Sequence, residues 1–457
     1  MTAGYDGASG SESVSKQGRP SAGQGNAEFQ RAERPAAVRR PPGRPKQDAP
    51  ERSKPRMRTA RQGRHKKSRN KKKRGGGLIS GTDLGILEEA FEKGIIPKKM
   101  VETIKEMHPR LPTLYLIPKV HKNALDPPGR PIVSGNEGLC EVVTMVIDHY
   151  LKPLVGELPS YIQDTNSALR RLDNVHLNDG AIMVVADVEA LYTSIRHQDG
   201  LRAVSWYLKT TNLDGDLVTL LLRLLEYVLT HNIFVFKGVV YKQCQGTAMG
   251  ACCAPSYANL FLGSWERQIF VCDPIPHASL ISGWMRYIDD IWFIWEGSIE
   301  ELSTCMEALN QNDLNIKLTF HSGRSVEFLD LSIKVDDKGF LFTDLYRKPT
   351  STNAFLHATS AHPPATIRGI PTGQFLRAKR ICTNPKDFEL QAADLSRRFQ
   401  ERGYSKRNIR RGYQRASMTD RNDLLYKRKP SEQSNGLNTV RFITPYHNKW
   451  HQFKEIL

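Results

Sequence analysis

The feature that most constrains this chain is a pair of adjacent carboxylates set inside an apolar hairpin. Residues 284–288 and 291–295 read as strands, and Asp289-Asp290 sits at the bend between them. Tyr287, Ile288, Ile291, Trp292 and Phe293 press around the pair, so any fold formed here must compensate two poorly hydrated charges. A third carboxylate, Asp187, ends the run Ala181-Ile182-Met183-Val184-Val185-Ala186, which has the continuous apolar character of a strand covered on both faces. Antiparallel strands laid side by side would bring Asp187 to Asp289 and Asp290 across 102 positions of sequence. Carboxylates converging at strand tips suit a pair of divalent ions about 4 Å apart, one activating a hydroxyl and the other stabilising a leaving pyrophosphate. The dipeptide alone is weak support. Asp336-Asp337-Lys338-Gly339 is also a double Asp between strands, and there Lys-Gly marks a solvated turn.

Charge is partitioned along the 457 residues. Residues 1–75 hold 21 Lys/Arg against six Asp/Glu and residues 374–457 hold 19 against eight, whereas 76–373 hold 26 against 34. Basic ends around an acidic centre imply a polyanionic partner and a site that concentrates carboxylates. The first 75 residues contain no Leu, Ile, Trp or Cys and cannot bury enough apolar surface to fold alone, so 1–77 is expected to be a disordered basic arm. Its cluster at 66–74 can act as a nuclear address, hold phosphates, or merely be a solvated charge run; a nuclear location is the expectation. Seven cysteines without a Cys-x-x-Cys pair read as reduced thiols, neither disulfides nor zinc ligands. No apolar run approaches a membrane span and no signal segment is evident, so a soluble intracellular chain without membrane contact is expected.

The order of elements follows from periodicity. Short helices are expected at 84–91 and 98–107, then a hairpin from 113–121 and 130–133 around Pro127-Pro128-Gly129. Helices follow at 137–153, 163–172, 198–209 and 214–230, and paired strands at 233–236 and 239–243 around Lys237-Gly238. A Gly-rich turn at 246–250 leads into a helix over 254–270. Ser298-Ile299-Glu300-Glu301 is a capping box opening another. Strands at 315–320, 326–335 and 339–347 precede a basic, helical end interspersed with Phe375, Phe399, Tyr404 and Tyr413.

These residues carry a resemblance. Tyr287-Ile288-Asp289-Asp290 matches the Tyr-x-Asp-Asp box of reverse transcriptases, and Asp187-Val188-Glu189-Ala190-Leu191-Tyr192 the box with their other metal-binding Asp. More narrowly, Leu116-Ile117-Pro118-Lys119-Val120-His121-Lys122, Arg130-Pro131-Ile132-Val133-Ser134-Gly135, Gly246-Thr247-Ala248-Met249-Gly250 with Ala254-Pro255-Ser256-Tyr257-Ala258-Asn259-Leu260, Phe328-Leu329-Asp330-Leu331 and Leu345-Tyr346-Arg347-Lys348-Pro349-Thr350 resemble the reverse transcriptase of Penelope-like retroelements, a family related to telomerase catalytic subunits. The resemblance spans about 80–420 and implies an α+β right-hand polymerase fold: fingers and palm over 78–345, a basic helical thumb over 346–430, and a truncated linker or tail over 431–457. It also implies RNA-directed DNA polymerase activity with two Mg²⁺ ions, or Mn²⁺ in their place. The implied partners are an RNA template, a DNA primer, their RNA-DNA hybrid and dNTPs; the oligomeric state is open.

Roles carry over position by position. Asp187 and Asp289 would be the principal metal ligands with Asp290 adjacent, and Lys119 and Arg130 would hold the incoming triphosphate. Tyr192 resembles the ring that excludes ribonucleotides. Gly246 and Gly250 would let backbone approach the nascent base pair. Met249 stands where other reverse transcriptases have Gln, and Gln243 is either a further dNTP contact or a plain strand residue. Lys317 matches the general acid that protonates pyrophosphate, or is a strand Lys that snorkels. Phe328, Leu329 and Asp330 resemble the primer grip, or a core strand. Arg377, Lys379, Arg380, Arg397 and Arg398 resemble thumb contacts to a duplex, or an exposed helical face. A hybrid is recognised by shape and backbone, so no base-reading motif is expected. The family commonly carries a GIY-YIG endonuclease after the polymerase; here Phe442-Ile443-Thr444-Pro445-Tyr446 resembles the linker before it and eleven residues follow. Target nicking is not assigned, and a catalytically silent or domesticated nucleic-acid-binding chain of the same fold is the alternative.

Overall fold

The computed structural model describes residues 110–426 apart from 120–124, 136, 137 and 139, together with Phe29–Arg31 and isolated positions between 85 and 102. The cluster 66–74 and the tail 431–457 lie outside the described residues. Of the helices expected at 84–91 and 98–107, only Gly85, Glu88, Glu89, Phe91 and Glu102 are described, each helical.

A four-stranded antiparallel sheet organises the chain. Strand β4 (Ile182–Val188) lies at its centre, with β8 (Asp290–Trp295) on one side and β9 (Leu318–Gly323) on the other, and β7 (Ile281–Tyr287) pairs beyond β8. Central placement explains why residues 181–186 are apolar without alternation: both faces of β4 are covered. Val184, Ala186 and Val188, with Ile291, Phe293 and Trp295, pack against helices that include Glu141–Gly156, His197–Lys209, Gly215–Thr230, Ala254–Arg267 and Ile299–Asn310. The opposite parity, Met183 and Val185 with Met285, Trp292 and Ile294, faces a second core.

That second core is shared. A small sheet of β10 (Ser325–Phe328), β11 (Leu331–Val335) and β12 (Leu341–Leu345) contributes Val326, Phe328, Ile333 and Leu345, and the helices Pro364–Ile381, Pro385–Glu401 and Lys406–Ser417 contribute Phe375, Phe388, Phe399 and Ile409. The C-terminal helices therefore pack directly onto the sheet. Thr343 on β12 is tied to them, its hydroxyl donating to the Ile381 carbonyl at 2.5 Å.

The remaining strands form separate ladders. β2 (Leu114–Pro118) pairs with β3 (Gly129–Val133) as the expected hairpin, and β5 (Ile233–Phe236) with β6 (Val239–Gln243). One departure concerns the arm. Phe29–Arg31 forms a strand, β1, antiparallel to β6, so the arm is not wholly without structure; the unpaired edge of a two-stranded ladder offers backbone partners even to a sequence that cannot form a core. A second concerns the segment 326–335, expected as one strand. It is a hairpin that turns at Leu329-Asp330, with Leu329 at φ +57°. The capping box at Ser298 forms with both reciprocal bonds, none of the seven cysteines is joined in a disulfide, and no described helix is long and apolar enough to cross a membrane.

Candidate active site

Register places the acidic residues. In the β4–β8 ladder Asp187 is the direct partner of Asp290, following Val185 opposite Trp292 and Met183 opposite Ile294. All six point to the second-core face, so the two carboxylates continue an apolar stripe at the point where it reaches the sheet tip. Directly opposed residues hold their Cβ atoms about 5 Å apart, and the carboxyls feel each other. Burial, then Asp289, then Asp187 push Asp290 up to about 7, against the pull of Lys348.

The bend differs by one residue from the expectation. Tyr287 pairs with Asp290, so the turn is Ile288-Asp289 and Asp290 already belongs to β8. Ile288 adopts φ +56°, an outlier for a β-branched side chain and a local strain of order 1–3 kcal/mol. The Asp289 carbonyl accepts the Val188 N–H at 3.0 Å, which locks the turn to the end of β4. Burial pushes Asp289 above the usual carboxylate range, while its own backbone N–H, then Arg130 and Lys119, pull it back. The β2–β3 hairpin thus brings both of its expected cations to bear on the carboxylate expected to need them. Lys119 follows β2, its N–H donating to the Pro128 carbonyl at 2.9 Å, and Arg130 pairs with Ile117.

Tyr192 joins the same site. Ala190, at φ +51°, turns the chain after β4 into the short helix Leu191–Ser194. Burial, Asp289 and Tyr287 together push the Tyr192 phenol up to about 12. Lys348 was inside a matched motif but had no expected role. Its Coulombic pull on Asp290 brings the strand-exit segment after β12 to the acidic tip. Sequence reading also passed over Arg286, fully buried three residues before Asp289; a lone Arg in an apolar strand is the signal that could have found it.

Several expected site residues are occupied elsewhere. A Cβ on Gly246 (φ +75°) would overlap the Tyr192 carbonyl oxygen, and one on Gly250 (φ +144°) the Val133 carbonyl oxygen. The close approach these glycines permit is to the protein's own backbone, where the 246–250 turn wedges between Tyr192 and the end of the hairpin. Gln243 is buried and its amide has a partner inside the protein at both ends, accepting from Asn232 Nδ2 at 2.5 Å and donating to the Gln245 carbonyl at 2.7 Å. Lys317 precedes β9 and donates its ammonium to the Asn310 carbonyl at 2.6 Å, at the C-terminal end of the helix Ile299–Asn310 where a cation complements the dipole. Phe328 is core and Leu329 is the turn. Asp330 accepts from Thr165 Oγ1 at 2.6 Å and pairs with Arg377, so it fastens the β10–β11 turn to two helices.

The basic helices divide the same way. Arg377 is held by Asp330, Arg380 donates to Asn166 Oδ1 at 2.7 Å, Lys379 lies over the Phe388 ring, and Arg397 and Arg398 share Asp394. Arg377 and Arg380 tie their helix to the β10–β11 turn and to the helix Thr165–Leu172, Lys379 reaches the next helix, and Arg397 and Arg398 pair within their own. Spacing of three or four residues on a helix supplies the acid partner locally. The helix Lys406–Ser417 differs: Ser405 caps it, Ile409, Gly412 and Ala416 face inward, and Gly412 lets it lie close on the Pro371-Thr372 backbone. Its outer face carries Lys406, Arg407, Arg410, Arg411 and Arg415, all exposed and none in an ion pair among the described residues.

The donor set at the sheet tip suits a hard divalent ion: carboxylate oxygens only, partly buried and mutually repelling. Among the described residues no three His, Cys, Asp or Glu side chains close around one point as they stand. Mg²⁺ does not require such a cage, since it retains waters and uses one or two carboxylates together with substrate phosphates.

Residues 354–414 match the family model described as an animal helix-turn-helix domain. Among curated proteins no relative matches the chain in sequence. Among solved structures, telomerase from Candida albicans in complex with a TWJ fragment of telomeric RNA superposes with a TM-score of 0.49 at 10% identity, over 71% of this chain and 57% of that one. Apo telomerase from Candida tropicalis gives 0.44 at 11% identity, over 68% and 58%. The Sicinivirus 3Dpol RNA-dependent RNA polymerase gives 0.45 at 13% identity, over 70% and 71%. The chain spans little more than half the length of these telomerase chains. All three TM-scores lie below 0.5, and the chemistry of the site rests on its own residues.

Proposed function

We propose that this chain is an RNA-directed DNA polymerase of the Penelope-like kind, joining a dNTP to a primer 3′-hydroxyl and releasing pyrophosphate. The observation that carries the reading is the convergence at one sheet tip: Asp187 opposite Asp290, Asp289 in the adjoining turn, and Lys119 and Arg130 acting on that same carboxylate. In right-hand terms the β2–β3 hairpin belongs to the fingers, the four-stranded sheet is the palm, and the helices from Pro364 to Ser417 form the thumb.

Asp187, Asp289 and Asp290 would hold Mg²⁺, or Mn²⁺ in its place. When bound, the ions supply charge neutralisation for the phosphates and a lowered pKa for the primer hydroxyl. Lys119 and Arg130 bind the triphosphate, the guanidinium forking onto its oxygens. Tyr192 fills the space a 2′-hydroxyl would need. The exposed cations of Lys406–Ser417 meet the phosphates of an RNA-DNA hybrid without reading bases. A nuclear location belongs to the same reading.

One competing reading is a catalytically silent nucleic-acid-binding chain of the same fold; the helix-turn-helix match, over 354–414 and apart from the aspartates, is compatible with both. Purified protein, an RNA template, a DNA primer, dNTPs and Mg²⁺ separate the two. Extension that is lost in Asp289→Asn with hybrid binding retained supports the polymerase; hybrid binding with no extension by the wild type supports the silent chain. Ribonucleotides in parallel reactions test the preference assigned to Tyr192.

A further inference from the structure

Beneath the Ile288-Asp289 turn lies a polar network enclosed by apolar side chains. Arg286 has no solvent exposure, and every nitrogen of its guanidinium has a partner. Nε donates to Glu266 Oε1 at 2.7 Å, Nη2 to Glu266 Oε2 at 3.0 Å and to the Asn259 carbonyl at 3.3 Å, and Nη1 to Asn259 Oδ1 at 2.8 Å and to the Ile288 carbonyl at 3.3 Å. The partners are themselves fixed. Ser160 Oγ and Trp284 Nε1 donate to Glu266 at 2.6 and 2.8 Å, and Asn259 Nδ2 donates to the Pro255 carbonyl at 2.9 Å, which leaves its oxygen for Arg286. The Arg286 backbone is clamped too, its N–H donating to the Ser160 carbonyl at 2.7 Å and its carbonyl accepting from Ile162 at 3.0 Å.

A buried ion pair of this kind adds little net stability, since a well-packed apolar pair of similar volume usually does as well. What an apolar pair could not supply is a donor aimed at the carbonyl of Ile288, the residue held at φ +56°. We infer that Arg286, oriented by Glu266 and Asn259, is a positioning residue: it holds the strained turn so that Asp289 stands beside Asp187 and Asp290. The inference rests on the polymerase reading for its consequence in turnover, but the geometry it asserts is independent of activity.

The test separates holding the turn from holding the fold. The paired substitution Arg286→Met with Glu266→Leu removes both charges together and keeps apolar volume; Ser160 Oγ, Trp284 Nε1 and Asn259 Oδ1 lose partners, so the melting temperature should fall by a few degrees while the fold is kept. Exchange of the Val188 amide, which donates to the Asp289 carbonyl, should nevertheless quicken by about tenfold or more as the turn opens locally. In primer extension kcat should fall about 10–100-fold, the cost of a misplacement near 1 Å, with KM for dNTP nearly unchanged. A folded double variant with wild-type Val188 exchange and wild-type kcat would overturn the inference. Should that variant not fold, Arg286→Lys keeps the charge against Glu266 but loses the planar fork, and the same exchange measurement decides. Should the wild type itself fail to extend primers, the polymerase reading falls while Val188 exchange still tests the network.

Discussion

Two turns in this protein carry Asp-Asp between strands, and they are chemically opposite. At Asp336-Asp337 the first carboxylate accepts the N–H groups of Lys338 and Phe340 at 2.9 and 2.8 Å, closing its own hairpin in solvent. At Asp289-Asp290 the carboxylates face a third across a ladder, are partly buried, and are raised above the ordinary range. One acid closes its own turn; the other pair lies at a sheet tip beside a third carboxylate. The dipeptide is the same; what differs is the surroundings in which register places it.

The sharpest way to break this comparison is to neutralise both turns. Asp187→Asn or Asp289→Asn should cost on the order of 10³-fold or more in primer extension, whereas Asp336→Asn should leave the rate within about twofold. Next in size, Arg130→Ala should raise KM for dNTP about 10–100-fold with the fold intact, because a charge-assisted contact is lost. Tyr192→Ala should lower discrimination against ribonucleotides by about tenfold or more, measured as the ratio of kcat/KM values.

A smaller effect concerns stability without metal. Because the folded Asp290 titrates near 7 against an ordinary 3.8, its contribution is fully present below about pH 4 and is lost as pH rises through about 7. Asp290→Asn should therefore raise the metal-free melting temperature at pH 8, by about 2–4 °C for each kcal/mol regained, and leave it unchanged near pH 3. Asp336→Asn should show no such gain. The same contrast between occupied and available charge extends to the cations. Arg410→Ala with Arg411→Ala should reduce the salt slope of hybrid binding by about two, and Arg397→Ala, which removes only exposed pairs within its own helix, should leave that slope and the melting temperature nearly unchanged.

Much of the fold was legible because its signals are local. The paired strands at 233–236 and 239–243, the capping box at Ser298 and the apolar run before Asp187 are fixed by turn chemistry and periodicity, and each appears where expected. The hairpin at Leu329-Asp330 was missed because Asp330 is a lone turn former in an apolar run without Gly or Pro, and Leu329 takes a φ of +57° that its side chain does not favour. At the site, the three aspartates, Lys119, Arg130 and Tyr192 converge. Gly246, Gly250, Gln243, Lys317 and Asp330 meet partners within the protein itself, a distinction that depends on residues 7 to 165 positions away or on backbone from another segment.

The sequence by itself determined which segments are strands and helices, where carboxylates end them, and that the ends of the chain are basic, since hydrophobic period and composition act over a few residues. Only the tertiary structure decided which charges remain available. Whether an Arg meets an Asp or solvent, and whether a carboxylate faces a backbone N–H or another carboxylate, is set by register and helix packing between distant segments, and charge interactions change their worth with that burial.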